Sequence, residues 1–316
     1  MLMARRCKRC RKNDAEVYLA HSNLSLCPEC FMLLTERRVK HTINSYRMLS
    51  KNDRVGVAVS GGKDSSTLAF ILNSIFEKLD TTLIYIDLGV PKYSQHCLEK
   101  VKALAKMLDR PLVIYSLEKE LGFKIGDFRS TIYGRKLCSA CGAIKRYLFN
   151  KIAYDLSLTK IATGHNLDDT VETLFNFYLE GNIEGLLRLK PSMPKIHPKM
   201  VPKIKPLIGL TDMECLLYAG YRDLPVRVID CQFSKGSRML KRKELLNMIT
   251  DKIPNFKHSF MNSHFKRILP LIEKACEKRE VKLYECTVCG MPTSLEGASC
   301  RFCKLVEMAR GRKREG

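Results

Sequence analysis

Short apolar runs alternate with segments of helical character through the middle of the chain. The strand-sized runs fall at residues 55–59, 82–86, 111–115 and 160–163. The helical segments fall at residues 63–72, 98–108, 142–155 and 168–179. This alternation is typical of βαβ units and predicts an α/β fold with a doubly wound parallel sheet. Such sheets bind ligands at the carboxyl ends of their strands, where Ser60, Asp87 and Gly164 fall.

The composition changes around this α/β segment. Residues 184–205 are rich in Pro and Lys and are interpreted as a loop or insertion, and residues 227–229 as a further strand. Residues 236–283 are Lys-rich and helical in character. We therefore divide the chain into four parts: an N-terminal module at 1–33, a catalytic domain at 34–235, a helical region at 236–283 and a C-terminal module with a basic tail at 284–316.

Length and hydropathy restrict the class of protein. The 316 residues suffice for one catalytic domain with small appendages. No apolar run approaches the roughly 20 residues that cross a bilayer, and no secretory signal opens the chain. We therefore expect a cytoplasmic protein with no membrane partner.

Basic residues outnumber acidic ones by 55 to 33, which leaves a net charge of +22. Many basic residues lie near the two ends of the chain: Arg5, Arg6, Lys8, Arg9, Arg11 and Lys12, then Arg310, Arg312, Lys313 and Arg314. Lys and Arg neutralise phosphates and release counterions, so the charge favours a nucleic-acid partner. A Lys-rich, solvated surface is the alternative.

Fourteen cysteines without an export signal favour metal binding over a disulfide framework. Eight of them form two terminal sets of paired Cys-x-x-Cys motifs: Cys7, Cys10, Cys27 and Cys30, then Cys286, Cys289, Cys300 and Cys303. Each set can offer four thiolates to one Zn²⁺, so we predict two structural zinc modules. Redox-active or unliganded cysteines are the alternative.

A glycine-containing run follows the first apolar strand directly and reads Ser60, Gly61, Gly62, Lys63, Asp64 and Ser65. Glycines let the backbone approach phosphate oxygens, and the start of the next helix directs N–H groups towards them. Lys63 adds a mobile cation, while Asp64 either helps hold Mg²⁺ or caps the helix. The spacing is not that of a Walker A loop. The run resembles the PP-loop of the adenine nucleotide α-hydrolase-like enzymes, which implies cleavage of ATP between its α- and β-phosphates.

Cys138, Cys141 and Cys231 form a third set. Residues three apart share a helix face, so Cys138 and Cys141 can point at one metal centre. Three thiolates suit an iron–sulfur cluster with one iron free of protein ligands. A redox-active pair and unrelated cysteines fit the spacing as well, and the spacing leaves all three open.

The order of these motifs along the chain resembles that in the TtuA-type tRNA 2-thiouridine synthetases. The resemblance spans nearly the whole chain and rests on both terminal cysteine sets, the PP-loop, residues 138–147 (CSACGAIKRY), residues 162–169 (ATGHNLDD) and Cys231. Two departures lie beside the third cysteine set. Residues 134–137 carry no proline where relatives often do, and Gln232 stands where a proline is usual.

The resemblance implies roles for particular residues. Cys138, Cys141 and Cys231 would bind a [4Fe–4S] cluster. Lys145 would lie near the cluster and the reacting uridine, where it and Asp169 position groups or move protons. The residues lining the ATP site beside the PP-loop would be Ala58, Ile86, Gly164 and Asp169.

The resemblance also implies a reaction. ATP would adenylate O2 of a tRNA uridine, with Mg²⁺ and Lys63 offsetting phosphate charge, and sulfur carried by the cluster would then replace that oxygen at C2. The donor would be a thiocarboxylated ubiquitin-like protein, or free sulfide, and the enzyme a possible homodimer. Residues 38–43, 57–60 and 87–89 resemble the branch that modifies U54 in the T-loop. Modification of the wobble U34, a cluster-independent PP-loop ligase and a non-catalytic RNA-binding protein are the alternatives.

Overall fold

The N-terminal part of the chain forms a small hairpin followed by a long helix. A computed structural model describes residues 6–234, 238–276 and 282–311, so Arg5 and the basic residues at 312–314 lie outside it. Strands β1 (Val17–Leu19) and β2 (Leu24–Leu26) pair antiparallel. Helix α1 (Pro28–Ser45) begins directly after Cys27. Proline suits this first helical position, where its missing N–H is not needed.

A six-stranded sheet lies at the centre of the protein, and parallel pairing dominates it. Its strands run in the order β5-β4-β3-β6-β8-β7, and only β7 is antiparallel to its neighbour. The elements of this domain, in chain order, are β3 (Arg54–Val59), α2 (Lys63–Ile75), β4 (Asp80–Asp87), α3 (Tyr93–Leu108), β5 (Leu112–Ser116), α4 (Leu117–Leu121), α5 (Leu137–Asp155), β6 (Lys160–Thr163), α6 (Leu167–Leu179), α7 (Ile183–Arg188), β7 (Ser192–Met193), β8 (Lys203–Ile204) and α8 (Asp212–Tyr221). The predicted doubly wound α/β fold is therefore confirmed. The four predicted strands correspond to β3, β4, β5 and β6, and the four predicted helices to α2, α3, α5 and α6.

Helices cover both faces of the sheet. On one face, α1, α2, α3 and α8 bury a core that includes Val57 of β3 and Tyr218 of α8. On the other face, α5 packs Ile144 and Leu148 near Ile161 of β6. Because both faces are covered, the strands are apolar almost throughout, as in other parallel sheets.

Two local predictions are wrong. Residues 227–229 form no strand, because the backbone N–H of Arg227 donates to the Gly61 carbonyl oxygen and not to a strand partner. Residues 184–205 are not only a loop, since they contain α7, β7 and β8. The two residues of β8 pair with β6, and Ile204 is fully buried. Strands this short leave no periodic signal in a Pro- and Lys-rich sequence.

The C-terminal part of the chain packs against the catalytic domain at two places. Helices α9 (Arg238–Lys252) and α10 (Phe256–Ser263), a π-helical turn (His264–Ile268) and α11 (Leu269–Ala275) lie beside α6 and α7. After them, β9 (Tyr284–Glu285), β10 (Pro292–Thr293) and α12 (Arg301–Gly311) lie beside α5, where Phe302 stacks on Tyr147 with ring centroids 3.7 Å apart. None of the described helices is long and apolar enough to span a membrane. The four-part division of the chain stays a prediction.

Replacing Lys257 with Ala should strongly destabilise the protein. Lys257 of α10 and Asp168 of α6 form an ion pair whose side chains are 8% and 6% exposed. Removing one partner of a buried pair leaves an uncompensated charge, so we expect a loss of about 3–5 kcal/mol in the free energy of unfolding, measured in urea. In the control, Lys151→Ala breaks an exposed pair with Asp155 and should lose about 0–1 kcal/mol. Equal losses in the two variants would contradict this account of how α10 is held.

Candidate active site and metal centres

The terminal cysteines form two compact sulfur sites. In each set the four sulfur atoms lie within 4.8 Å of one another, and all eight cysteines are free thiols. The two sites consist of Cys7, Cys10, Cys27 and Cys30, and of Cys286, Cys289, Cys300 and Cys303. Burial opposes ionisation of Cys7 and Cys286, but backbone N–H groups outweigh it and lower the pKa of each thiol to about 6. Four sulfurs so close together, with a stabilised thiolate among them, suit one tetrahedral ion per site.

The PP-loop is folded so that the start of α2 remains open to a ligand. Gly61 has φ +73°, in the left-handed region, and an added Cβ would lie 3.0 Å from the Cys97 carbonyl oxygen. The backbone N–H of Ser60 donates to Ser65 Oγ at 3.1 Å, and Ser65 Oγ donates to the Gly62 carbonyl oxygen at 3.0 Å. No side chain caps the first turn of α2. Its N–H groups are therefore available for phosphate oxygens.

Carboxylates and lysines alternate beside this loop. Lys63 Nζ lies 2.8 Å from Asp64 and 2.6 Å from Asp212, and Asn166 Nδ2 donates to both carboxylates at 2.9 and 2.8 Å. Burial opposes ionisation of Asp212, but the ammonium groups of Lys63 and Lys243 outweigh it and lower its pKa to about 2. Burial raises the pKa of Asp64 despite the neighbouring Lys63. Oxygen ligands of this kind are those that Mg²⁺ prefers.

Two residues of the C-terminal helices contact this cluster. Lys243 Nζ of α9 lies 2.6 Å from Asp169 and 3.2 Å from Asp212, while Lys257 of α10 pairs with Asp168. Neither lysine, nor Asp212, was assigned a role from the sequence. The capping box of α8, Thr211 with Glu214, marks the helix start that carries Asp212 and is recognisable in the sequence. No local signal marks the two lysines, because tertiary packing alone places them there.

The loop after β6 is pressed against the PP-loop. A Cβ on Gly164 would lie 2.9 Å from the backbone nitrogen of Ser65 and 3.0 Å from the carbonyl carbon of Asp64. Asn166 caps α6, accepting from the Asp169 backbone N–H at 3.0 Å. Ala58 and Ile86 lie near the carboxyl ends of β3 and β4, at the same edge of the sheet. The structure therefore brings the predicted ATP-site residues to one edge.

Cys138, Cys141 and Cys231 converge beyond this edge as free thiols. Cys138 and Cys141 lie one turn apart at the start of α5, and Cys138 Sγ contacts the carbonyl oxygen of Phe233, two residues after Cys231, at 3.5 Å. Burial raises the pKa of Cys141 against the effect of the Lys145 ammonium, and the Cys138 and Cys231 thiols add to the rise. Among the described residues, only the two terminal sets hold their sulfurs as close as 4.8 Å. The sulfur atoms of the third set lie farther apart than those of the terminal sets, and this wider spacing suits a multi-iron cluster better than a single ion.

One hydrogen bond joins the third cysteine set to the PP-loop. The backbone N–H of Arg227 donates to the Gly61 carbonyl oxygen at 2.7 Å, and its guanidinium lies 5.3 Å from the centre of the Tyr93 ring. Cys231 stands four residues after Arg227 in the chain. Because four extended residues span at most about 14 Å, Cys231 lies within that distance of Arg227. Cys231 is therefore held near the nucleotide loop, and we call the region between the PP-loop and the three cysteines the cleft.

Known proteins combine the same parts in the same order. A family model described as the PP-loop domain matches residues 32–226, and one described as the N-terminal LIM domain of the 2-thiouridine synthetase TtuA matches residues 6–32. The tRNA-5-methyluridine(54) 2-sulfurtransferase of Pyrococcus horikoshii is 37% identical over 299 residues, which cover 95% of this chain and 93% of that protein. The chain belongs to the TtuA-type PP-loop family.

Other TtuA-type and related proteins match over similar lengths. The tRNA-5-methyluridine(54) 2-sulfurtransferase of Thermotoga maritima is 34% identical over 309 residues, which cover 98% of each chain. A solved structure, the U34-tRNA thiolase NcsA from Methanococcus maripaludis with its [4Fe-4S] cluster, superposes with a TM-score of 0.78 at 26% identity. The match covers 98% of this chain and 97% of NcsA, so the fold is shared from one end to the other.

Replacing Gly164 with Ala should displace the PP-loop of this TtuA-type protein. The added methyl group would meet backbone atoms of Asp64 and Ser65, which cannot rotate away as a side chain can. We expect ATP binding, measured by calorimetry, to weaken about 10-fold or more, since 1.4 kcal/mol is tenfold and overpacking costs about 1–3 kcal/mol.

Gly220→Ala is the matched control for this prediction. Gly220 lies in α8 with no atom within 4 Å of an added Cβ, so the change should leave ATP affinity unaltered. Unchanged ATP affinity in Gly164→Ala would show that the contact with the PP-loop does not position the nucleotide.

Proposed function

We propose that this TtuA-type protein is an ATP-dependent tRNA sulfurtransferase of the cytoplasm that replaces O2 of uridine with sulfur, at U54 in the T-loop. The observation that carries the proposal is the hydrogen bond by which Arg227 ties the PP-loop to the segment bearing Cys231. Adenylation alone would need only the PP-loop. A sulfur-transferring enzyme also needs a thiol or metal–sulfur site within reach of the adenylated base. Cys138, Cys141 and Cys231 would supply that site.

The proposed cofactors fit the donor sets of the chain. Cys138, Cys141 and Cys231 would hold the [4Fe–4S] cluster, and the two terminal four-cysteine sites would each hold one Zn²⁺. Asp64 and Asp212 offer carboxylates to Mg²⁺ beside the phosphates of ATP. With three cysteine ligands, the cluster would supply one iron position at which external sulfur can bind.

The chain's own residues account for the adenylation step. Uridine O2 attacks the α-phosphorus of ATP, and pyrophosphate leaves with Mg²⁺. The N–H groups at the start of α2 and the ammonium of Lys63 would stabilise the charge on the transferring phosphate. Lys63 is paired with Asp64 and Asp212 in the structure, and these carboxylates would hold Mg²⁺ when ATP is bound, which would leave the ammonium of Lys63 to contact the phosphates.

The sulfur step would follow in the same cleft. A sulfide equivalent adds to C2 of the adenylated uridine, and the C2–O2 bond then breaks as AMP leaves with the oxygen. The proton of the hydrosulfide must leave in this step. We propose that the carboxylate of Asp169, which pairs with Lys243, accepts this proton, and that the ammonium of Lys145, which contacts Cys141, orients the sulfur.

The identity of the target base rests on the relatives. The proteins from Pyrococcus horikoshii and Thermotoga maritima are named for U54, and each is at least 34% identical to this chain. NcsA, which is named for U34, shares the fold at 26% identity and supports U34 as the second candidate. We propose a thiocarboxylated ubiquitin-like protein as the sulfur donor and a homodimer as the assembly, as the resemblance of the sequence implies.

Replacing Cys231 with Ser should abolish thiolation and cluster binding together. Serine offers a poor iron ligand, so protein reconstituted anaerobically with iron and sulfide should lose the cluster's visible absorbance and bound iron. Thiolation of a tRNA transcript, measured by mass spectrometry, should fall to background.

Cys276→Ser is the matched control for Cys231→Ser. Cys276 is a half-exposed free thiol at the end of α11, outside the three cysteine sets, and its loss should leave iron content and activity unchanged. Full thiolation by Cys231→Ser without bound iron would overturn the cluster assignment and favour a cluster-independent PP-loop enzyme.

A further inference from the structure

Four cations follow one another from the cleft to the C-terminal cysteine module. We call Lys205, Lys203, Arg146 and Arg301 the cation row. Lys203 lies in β8 opposite Ile161 of β6, and Lys205 follows two residues later. Ile161 is buried on the α5 side of the sheet, so its partner Lys203 lies on that side, while Ile204 is buried on the other side.

Each member of the row interacts electrostatically with the next member. Lys205 interacts with Lys203 and with Asp169 of the cleft, Lys203 interacts with Arg146, and Arg146 interacts with Arg301. Gly142 leaves the space into which Arg146 folds, since an added Cβ would lie 3.1 Å from Arg146 Nη1. Arg301 donates to Ser139 Oγ at 2.9 Å, between Cys138 and Cys141.

The row lacks counter-charges from the protein itself. Within the described ranges, no carboxylate lies within 4.0 Å of any of its four cations. Burial lowers the pKa of Lys205 to about 8 against the effect of the Asp169 carboxylate, and the Lys203 ammonium adds to the fall. Burial also lowers the pKa of Lys203, and the Arg146 guanidinium acts in the same direction. Half-buried cations held side by side without a partner destabilise the free protein, which is typical of a binding site.

The lysines around the PP-loop show the opposite pattern. Lys63, Lys243 and Lys257 each pair with one or more aspartates. Their charge is balanced within the chain until Mg²⁺ and nucleotide arrive, whereas the charge of the cation row is not. The row also ends at the exposed Arg146 and Arg301.

We propose that the cation row binds consecutive phosphodiesters of the tRNA strand that carries the target uridine. Successive single charges suit a polyanion with repeating phosphates better than one small anion, and the open outer end lets a strand enter. The half-buried lysines would hold the phosphates nearest the reacting base. The inference rests on the proposed tRNA thiolation and adds the residues that orient its substrate.

The test is the salt dependence of tRNA binding by Lys203→Gln and Arg146→Gln, measured with full-length protein and unmodified transcript. Each lost phosphate contact should reduce the slope of log Kd against log salt by about 0.7–0.9 and weaken binding. Lys151→Gln is the matched control, because Lys151 lies on the same helix but is paired with Asp155 and should not change the slope. Lys203→Arg, which keeps the charge, should restore both slope and affinity.

Four outcomes would overturn the cation row as an RNA site. They are an unchanged slope in both Gln variants, weakened ATP binding with normal tRNA binding, a defect seen only with a protein sulfur donor, and no rescue by Lys203→Arg. The proposed function fails separately. If the wild-type protein binds tRNA through these residues but never thiolates it, the proposed thiolation is wrong, while the phosphate-binding role of the cation row still holds.

Discussion

The active site depends on one backbone hydrogen bond, from the Arg227 N–H to the Gly61 carbonyl oxygen. Gly61 can adopt its left-handed conformation and lie against Cys97 because it lacks a side chain. That conformation turns its carbonyl oxygen towards the segment that continues to Cys231. Cys138 in turn contacts Phe233 on the same segment. A chain stretch without regular secondary structure thus joins the nucleotide loop to the three thiols, so the groups proposed for adenylation and for sulfur transfer lie on connected segments.

Charge is distributed differently on the two sides of that cleft. On the nucleotide side, three lysines from α2, α9 and α10 pair with four aspartates, so none of these charged groups lacks a partner of opposite charge. When Mg²⁺ and ATP bind, Mg²⁺ would replace the lysines as the partner of the aspartates, and the phosphate oxygens would replace the aspartates as the partners of the lysines. On the α5 side, neither Lys203 nor Lys205 forms an ion pair within the described residues, although Lys205 feels the charge of Asp169. The net charge of +22 is therefore not a uniform property of the surface.

The sequence allowed the parallel sheet, the PP-loop and the cysteine sets to be predicted, because each has a local signature. Apolar runs mark the strands, and fixed cysteine spacings mark the terminal modules. The predictions for 227–229 and 184–205 were wrong for a physical reason, since hydrogen bonds to distant residues decide those conformations. Lys243, Lys257 and Asp212 went unrecognised because only tertiary packing brings them to the site. Whether Cys138, Cys141 and Cys231 hold a cluster was open from their spacing alone, and resemblance to the family favoured it.

The central claim is that adenylation and sulfur transfer occur at one uridine in one cleft. The most direct measurement follows AMP and thiolated uridine together, using anaerobically reconstituted protein, ATP, sulfide and unmodified tRNA, with the modified base located by mass spectrometry. The account predicts equal amounts of AMP and 2-thiouridine, with the sulfur at U54. Formation of AMP without 2-thiouridine in tRNA, or of 2-thiouridine without AMP, would contradict it.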